Sequence, residues 1–160
     1  MLRWIWISAL VIALDLATKW LASTHLVLHE PVAVMPMFNL TLMHNTGAAF
    51  SFLSSASGWQ RWFFSIIALV VSTAIVIWMR RLSPEERWNA IALALILGGA
   101  LGNLWDRVTL GYVVDFIQIY YERWAWPAFN IADSAISTGA VMLVIDALRS
   151  HRRARSTQSS

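Results

Sequence analysis

Four apolar runs dominate the sequence and restrict how the chain can fold. They lie near Trp4–Ala22, Trp62–Met79, Trp88–Trp105 and Asn130–Leu148, and each is 18 or 19 residues long. At a rise of about 1.5 Å per residue, each run would form a helix of roughly 27–29 Å, enough to cross a bilayer core. The sequence therefore predicts an α-helical integral membrane protein with four transmembrane helices.

Composition supports a membrane protein and excludes several chemistries. Hydrophobic residues make up 58% of the chain and charged residues 13%, whereas a soluble domain usually carries about 25% charged residues. The absence of cysteine excludes thiol nucleophiles, disulfides, cysteine-ligated zinc and iron–sulfur clusters. The formal charge of +3 does not indicate nucleic-acid binding, because the arginines stand mainly at the ends of apolar runs.

Arginine placement predicts the orientation of the four helices. On one side of the membrane would lie Arg3, Arg80, Arg81, Arg87, Arg149, Arg152, Arg153 and Arg155, and on the other Arg61, Arg107 and Arg123. Because short cytoplasmic loops retain Lys and Arg, both termini are expected in the cytoplasm. Residues 1–150 would form a single polytopic membrane domain, and residues 151–160 a basic cytoplasmic tail in contact with membrane lipids.

The two outward segments, roughly Ser23–Gln60 and Asp106–Phe129, contain strand-like stretches. Phe38–Asn45 alternates apolar and polar residues, and Gly111–Tyr121 is rich in Val, Ile, Phe and Tyr. Both patterns are typical of strands. We expect a small extracytoplasmic β-sheet at the outer membrane surface, with aromatic residues at the interface.

Ionisable residues within the apolar runs need a partner or a function, since each costs about 2.5–3.5 kcal/mol at bilayer depth. Asp15 and Lys19 are four residues apart on one helix face and are predicted to form a structural ion pair. In the third run, Gly98 and Gly102 predict a close approach between helices.

Several other polar residues are open to more than one interpretation. Arg107 could be a structural clamp or could hold a substrate peptide or headgroup. The spacings of His25, His29 and His44 match no metal-binding pattern, so no metal is expected. The serine cluster at Ser51, Ser54, Ser55 and Ser57 has no evident base, which disfavours a Ser–Lys protease.

Two carboxylates, Asp115 and Asp133, stand in apolar surroundings and are predicted to meet at one depth near the outer surface. Two such groups at short range share a proton, so one can act as base on a water and the other as acid toward a scissile carbonyl. Paired carboxylates also serve proton-coupled transporters. The residues alone therefore leave a protease and a transporter open.

Five motifs together resemble a known family. They are Asp15-xxx-Lys19, Asn45-TGAAFS, Gly102-NLWDR, Val114-Asp115-Phe116 and Phe129-NIADS, in this order on a chain with four predicted spans. The set closely resembles the lipoprotein signal peptidases, also called signal peptidase II. The resemblance runs from the first span through the fourth, and the combination is specific although each motif alone is weak.

The resemblance implies an aspartic endopeptidase of the bacterial inner membrane, with its active site near the periplasmic face. Such an enzyme removes the signal peptide from diacylglyceryl-modified prolipoproteins, on the amino side of the lipobox cysteine. By motif position, Asp115 and Asp133 would be catalytic. The supporting and substrate-contacting residues would be Asn45, Gly47, Asn103, Arg107 and Asn130. No metal or cofactor is implied, no nucleic acid is expected as a partner, a mobile outward loop would cover the substrate, and a monomer is expected.

Overall fold

The computed structural model describes residues 1–47 and 58–158, with side chains described up to residue 150. The helices are a short 3-10 helix Leu2–Trp4, then α1 Ile5–His25, α2 Trp59–Arg81, α3 Arg87–Thr109 and α4 Ile131–Gln158. The strands are β1 Pro31–Met35, β2 Phe38–Asn45, β3 Val113–Tyr121 and β4 Trp124–Ala125. The serine cluster lies outside the described residues.

Within the described residues, four helices are long and apolar enough to cross a membrane, as the sequence predicted. All four extend beyond the predicted runs. The third continues one turn past Trp105 to Thr109, so Asp106 and Arg107 stand on a helix rather than at the start of an outward segment. The fourth remains helical to Gln158, so most of the predicted tail is a helical extension of α4.

α3 is the central helix and packs against α1, α2 and α4. Its glycines allow this packing because a side chain would collide with a neighbouring helix. A Cβ on Gly98 would lie 2.8 Å from Val11 Cβ, and one on Gly102 would lie 2.6 Å from Asp15 Oδ2. The predicted close approach is therefore confirmed. Gly99, which the sequence did not single out, faces the backbone oxygen of Ala132 on α4 in the same way.

In the part of the chain that the structure describes, four strands form one antiparallel sheet in the order β1-β2-β3-β4. The predictions of strands at Phe38–Asn45 and within Gly111–Tyr121 are confirmed, while β1 and β4 were not predicted. The connections from α1 to α2 and from α3 to α4 supply all four strands, so the sheet lies at one end of the helix bundle.

The sheet packs on the helix bundle through an apolar cluster of Leu42, Val114 and Phe116 with Ala22 of α1. The register pairs Asp115 with Met43 and Val113 with Asn45. This pairing brings the end of β2 alongside the start of β3, where α3 and α4 also meet. The fold therefore collects two strands and three helices around Asp115.

Candidate active site

Asp115 lies near the start of β3 and is only 2% exposed. Each of its carboxylate oxygens accepts one side-chain amide. Asn45 Nδ2 donates to Oδ2 at 3.0 Å, and Asn130 Nδ2 donates to Oδ1 at 2.7 Å. Both donors are uncharged, so they fix the direction of the carboxylate without providing a counterion.

Asp133 stands in the first turn of α4, where Asn130 precedes the helix. Asp133 N donates to Asn130 Oδ1 at 2.9 Å, and Asn130 N lies 3.4 Å from Asp133 Oδ2. This reciprocal arrangement is a capping box, which satisfies backbone donors that a helix start leaves unpaired. The local sequence NIAD therefore sets the position of the second carboxylate.

Asn130 joins the two aspartates. It is completely buried, its Nδ2 contacts Asp115, and its Oδ1 receives the backbone N–H of Asp133. Its Nδ2 is also 3.2 Å from the backbone oxygen of Val114 and 3.1 Å from Asn103 Oδ1. One amide thus ties the helix that carries Asp133 to the strand that carries Asp115.

The pKa of Asp115 is raised to about 7. Burial is the largest cause, because it disfavours the charged carboxylate, and the nearby charge of Asp133 adds to it. The hydrogen bonds from Asn45 and Asn130 and the charge of Lys19 oppose the shift. A carboxyl that retains its proton near neutral pH can act as a general acid.

A buried ion cluster adjoins the two aspartates. Lys19 Nζ lies 2.7 Å from Asp15 Oδ2, 2.9 Å from Asp106 Oδ2 and 3.0 Å from Asn103 Oδ1. The predicted contact between Asp15 and Lys19 is therefore present, with Asp106 as a second anion. Asn103 extends the cluster, since its Nδ2 donates to Asp133 Oδ1 at 2.7 Å.

The carboxylates of the cluster also bind backbone beside the two aspartates. Asp15 Oδ1 accepts Ala132 N at 2.9 Å, and Asp106 Oδ2 accepts Val114 N at 3.0 Å. Ala132 precedes Asp133 and Val114 precedes Asp115. The cluster therefore anchors the backbone on which each candidate catalytic residue stands.

Arg107 and Gly47 are placed at the edge of the same site. Arg107 extends its guanidinium to the backbone oxygens of Asn103 and Gly47, each at 3.4 Å, and lies over the ring of Phe64 at 5.4 Å. Gly47 N donates to Asn45 Oδ1 at 3.1 Å. The structure thus brings together all nine residues that the sequence assigned to the catalytic, supporting and ion-pair sets.

A cavity of about 790 Å³ opens beside the site. Its polar wall includes Asn45, Asn103, Arg107 and Asp133, and its apolar wall includes Val113, Ile119, Trp126, Phe129 and Ile136. Asp133 faces this cavity, while buried Asp115 is joined to the cavity wall through Asn45. The cavity combines a large apolar surface with a few polar groups, as ligand sites commonly do.

The family model described as Signal peptidase (SPase) II matches residues 7–149. The chain belongs to the signal peptidase II family. Lipoprotein signal peptidase of Pseudomonas aeruginosa strain PAO1 is 55% identical over 153 residues, covering 94% of this chain and 90% of the relative. That of Acinetobacter baumannii is 58% identical over 145 residues, covering 91% of this chain and 82% of the relative.

A solved bacterial membrane enzyme has the same fold as this signal peptidase II family member. It superposes with a TM-score of 0.83 at 34% identity, covering 92% of this chain and 88% of the solved chain. A second bacterial membrane enzyme structure gives a TM-score of 0.78 at 33% identity, covering 91% and 92% of the two chains. Membership of the family also establishes that the chain is a peptidase.

One residue of this peptidase's site was not assigned from the sequence. Asp106 is 3% exposed, pairs with Lys19 and holds the backbone of β3. A signal was available, because Asp106 follows Asn103 by three residues and residues at that spacing share a helix face. The sequence placed Asp106 at the outer end of the third span but considered it only as the carboxylate beside Arg107.

Proposed function

We propose that this chain is a membrane aspartic endopeptidase acting on diacylglyceryl-modified prolipoproteins. It would remove the signal peptide on the amino side of the lipobox cysteine. The observation that carries the proposal is the linkage of Asp115 and Asp133 through one buried amide, Asn130. The names of the relatives, lipoprotein signal peptidases, support the class of substrate.

The two aspartates differ in ways that suit them to different steps. Asp133 faces the cavity, so its carboxylate is the group that can accept a proton from an attacking water. Asp115 is buried and its pKa is raised to about 7, so it can supply the proton to the scissile carbonyl oxygen. Water oxygen then bonds to the carbonyl carbon, which gives a neutral tetrahedral intermediate.

Collapse of the intermediate completes the reaction with the same two groups. The bond from carbon to nitrogen breaks, the leaving nitrogen takes the proton from Asp133, and the carbonyl re-forms as its proton returns to Asp115. Both side chains end in their starting protonation states. The step consumes one water and requires neither a metal nor a cofactor.

The cavity supports a substrate that is partly lipid. Its apolar wall continues along α4 through Ile136 and meets Trp126 and Phe129 near the sheet. A diacylglyceryl chain could remain in the bilayer while the adjacent peptide bond reaches Asp133. Arg107, Asn45 and Asn103 supply polar groups for the peptide backbone beside it.

The proposal includes a location and an assembly state. The enzyme would lie in the bacterial inner membrane with both termini cytoplasmic and the sheet and cavity at the periplasmic face. It would act as a monomer.

Single-turnover cleavage of a diacylglyceryl-modified prolipoprotein by purified protein in detergent tests the proposal. Asp115→Asn and Asp133→Asn should each abolish cleavage while the protein stays folded, because each removes an ionisable group at nearly constant size. The double variant should be scarcely slower than either single one, since the residues act as a unit. Cleavage without any proton gradient would exclude a transporter, and substantial activity in either single variant would exclude the aspartic mechanism.

A further inference from the structure

Lys19 is surrounded by three oxygen acceptors and is 3% exposed. An ammonium group has three N–H donors, and here one acceptor is available for each: Asp15 Oδ2, Asp106 Oδ2 and Asn103 Oδ1. The two carboxylates hold the ammonium in place, and the third contact is to an uncharged amide. That amide is the only one of the three groups that also binds Asp133 among the described contacts.

We propose that Lys19 is a positioning residue that fixes which end of the Asn103 amide faces Asp133. This inference rests on the proposed aspartic mechanism. Because an ammonium only donates, it requires the oxygen of Asn103 on its own side. The amide nitrogen must then point to the opposite side, where it donates to Asp133 Oδ1.

The reversed amide would be unfavourable at both ends. It would place Nδ2 against the ammonium, donor against donor, and Oδ1 against the Asp133 carboxylate, acceptor against acceptor. Asn130 reinforces the observed orientation, since its Nδ2 also approaches Asn103 Oδ1 at 3.1 Å. Lys19 thus holds the Asn103 amide in the orientation that donates a hydrogen bond to the Asp133 carboxylate.

Asn103 is the hydrogen-bonded route from Lys19 to Asp133, while the charge of Lys19 acts separately by opposing the rise in the pKa of Asp115. From α3, Arg107 exerts a favourable charge interaction with Asp133, and from β3 Asp115 exerts a repulsive one. From α1, Asp15 binds the preceding backbone at Ala132 N. Lys19 itself is engaged by Asp15 and Asp106, so its influence on Asp133 is expected mainly as hydrogen-bond direction.

A double-mutant cycle between Lys19 and Asn103 tests this route. Lys19→Met should lower kcat by about 100-fold with KM changed less than about threefold, because misplacement of a reacting group affects the chemical step more than binding. Asn103→Ala should give a similar loss, and the double variant should be no worse than Asn103→Ala alone. Losses that multiply in the double variant would overturn the proposal, since Lys19 would then act independently of Asn103.

A second variant keeps the test decisive if Lys19 variants fail to fold. Asn103→Asp retains an oxygen acceptor for the Lys19 ammonium, and kcat is referred to the folded fraction of the variant. The substitution replaces the donor facing Asp133 by an acceptor, so kcat at neutral pH should fall by about 100-fold. A wild-type kcat in Asn103→Asp would overturn the proposal, because it would show that catalysis does not need a hydrogen-bond donor from residue 103 to Asp133.

Ser8→Ala is the matched control for lost stability. Ser8 Oγ donates to the backbone oxygen of Ala94 at 2.7 Å, a buried contact between α1 and α3 outside the site. This variant should lower the thermal stability without lowering kcat per folded molecule. Failure of the inference is distinguishable from failure of the proposed function, because an inactive Asp115→Asn together with a fully active Lys19→Met would overturn only the inference.

Discussion

Asn45 donates its side-chain amide to Asp115 Oδ2 at 3.0 Å, across the pairing of β2 with β3. The contact stabilises the ionised carboxylate and therefore opposes the rise in the Asp115 pKa. The Oδ1 atom of Asn45 accepts Gly47 N at 3.1 Å, which fixes the direction of the amide. Asn45 is thus placed to set the pH at which Asp115 loses its proton.

Asn45→Ala should move the alkaline limb of the cleavage profile to higher pH. The proposed mechanism requires protonated Asp115, whose pKa is about 7, so activity falls as the pH rises through that value. Removing a donor to the carboxylate raises its pKa further and extends the protonated range. The measurement is the single-turnover rate across neutral and alkaline pH.

Thr41→Val provides the control for the Asn45 variant. It removes another contact between β2 and β3, the hydrogen bond from Thr41 Oγ1 to Gln118 Oε1 at 2.9 Å. The alkaline limb should stay in place in this variant. If the alkaline limb moved equally in both variants, the shift would result from loosening of the sheet and not from loss of the Asn45 hydrogen bond.

Gly99→Ala should prevent the normal packing of α3 on α4. A methyl group there would overlap the backbone oxygen of Ala132, next to Asp133. Because the clash involves backbone rather than a flexible side chain, α4 would have to shift. We expect the free energy of unfolding to fall by an amount on the order of 1–3 kcal/mol. Cleavage should be lost as well.

Ala140→Val on α4 is the matched control for Gly99→Ala, because residue 140 is exposed on the helix surface. It also adds apolar volume to a spanning helix and should leave thermal stability and cleavage nearly unchanged. Equal thermal stability of Gly99→Ala and wild type would contradict the packing described for α3 and α4.

The sequence predicted the four helices because a membrane span has a simple requirement of length and hydropathy. The ends of the helices could not be predicted in this way. Asp106 and Arg107 look like the start of a polar segment, yet Asp106 is accommodated within α3 through Lys19 and Val114 N. A charge paired in three dimensions does not interrupt a helix as hydropathy suggests.

For the strands and the site as well, local sequence patterns could be predicted, whereas contacts between distant parts of the chain could not. The alternation in Phe38–Asn45 was sufficient to predict β2. β1 is exposed along its whole length and β4 has two residues, so neither carries a clear burial pattern. The bridging position of Asn130 depends on the distance between β3 and α4, which spacing along the chain does not determine.

A topology prediction follows from the arginine distribution. The cytoplasmic side would carry eight arginines and the opposite side three, so both termini should lie in the cytoplasm. A reporter that is active only after export should be inactive at the C-terminus and active when inserted within Leu26–Glu30, between α1 and β1. An exported reporter that is active at the C-terminus would contradict this orientation.

The burial of Asp115 predicts how stability depends on pH. Its pKa is raised from 3.8 to about 7 in the folded protein, so between these values the folded state binds more protons than the unfolded state. The contribution of Asp115 to stability is therefore largest at low pH and is lost as the pH rises toward 7. Asp115→Asn removes this dependence, so the variant should gain stability relative to wild type as the pH rises over this range, by at most about 1.4 kcal/mol per pH unit.

Unfolding of both proteins in detergent measures the difference. The control is Glu122→Gln, which changes an exposed carboxyl between β3 and β4. A constant difference between Asp115→Asn and wild type across this range would mean that folding does not raise the pKa of Asp115.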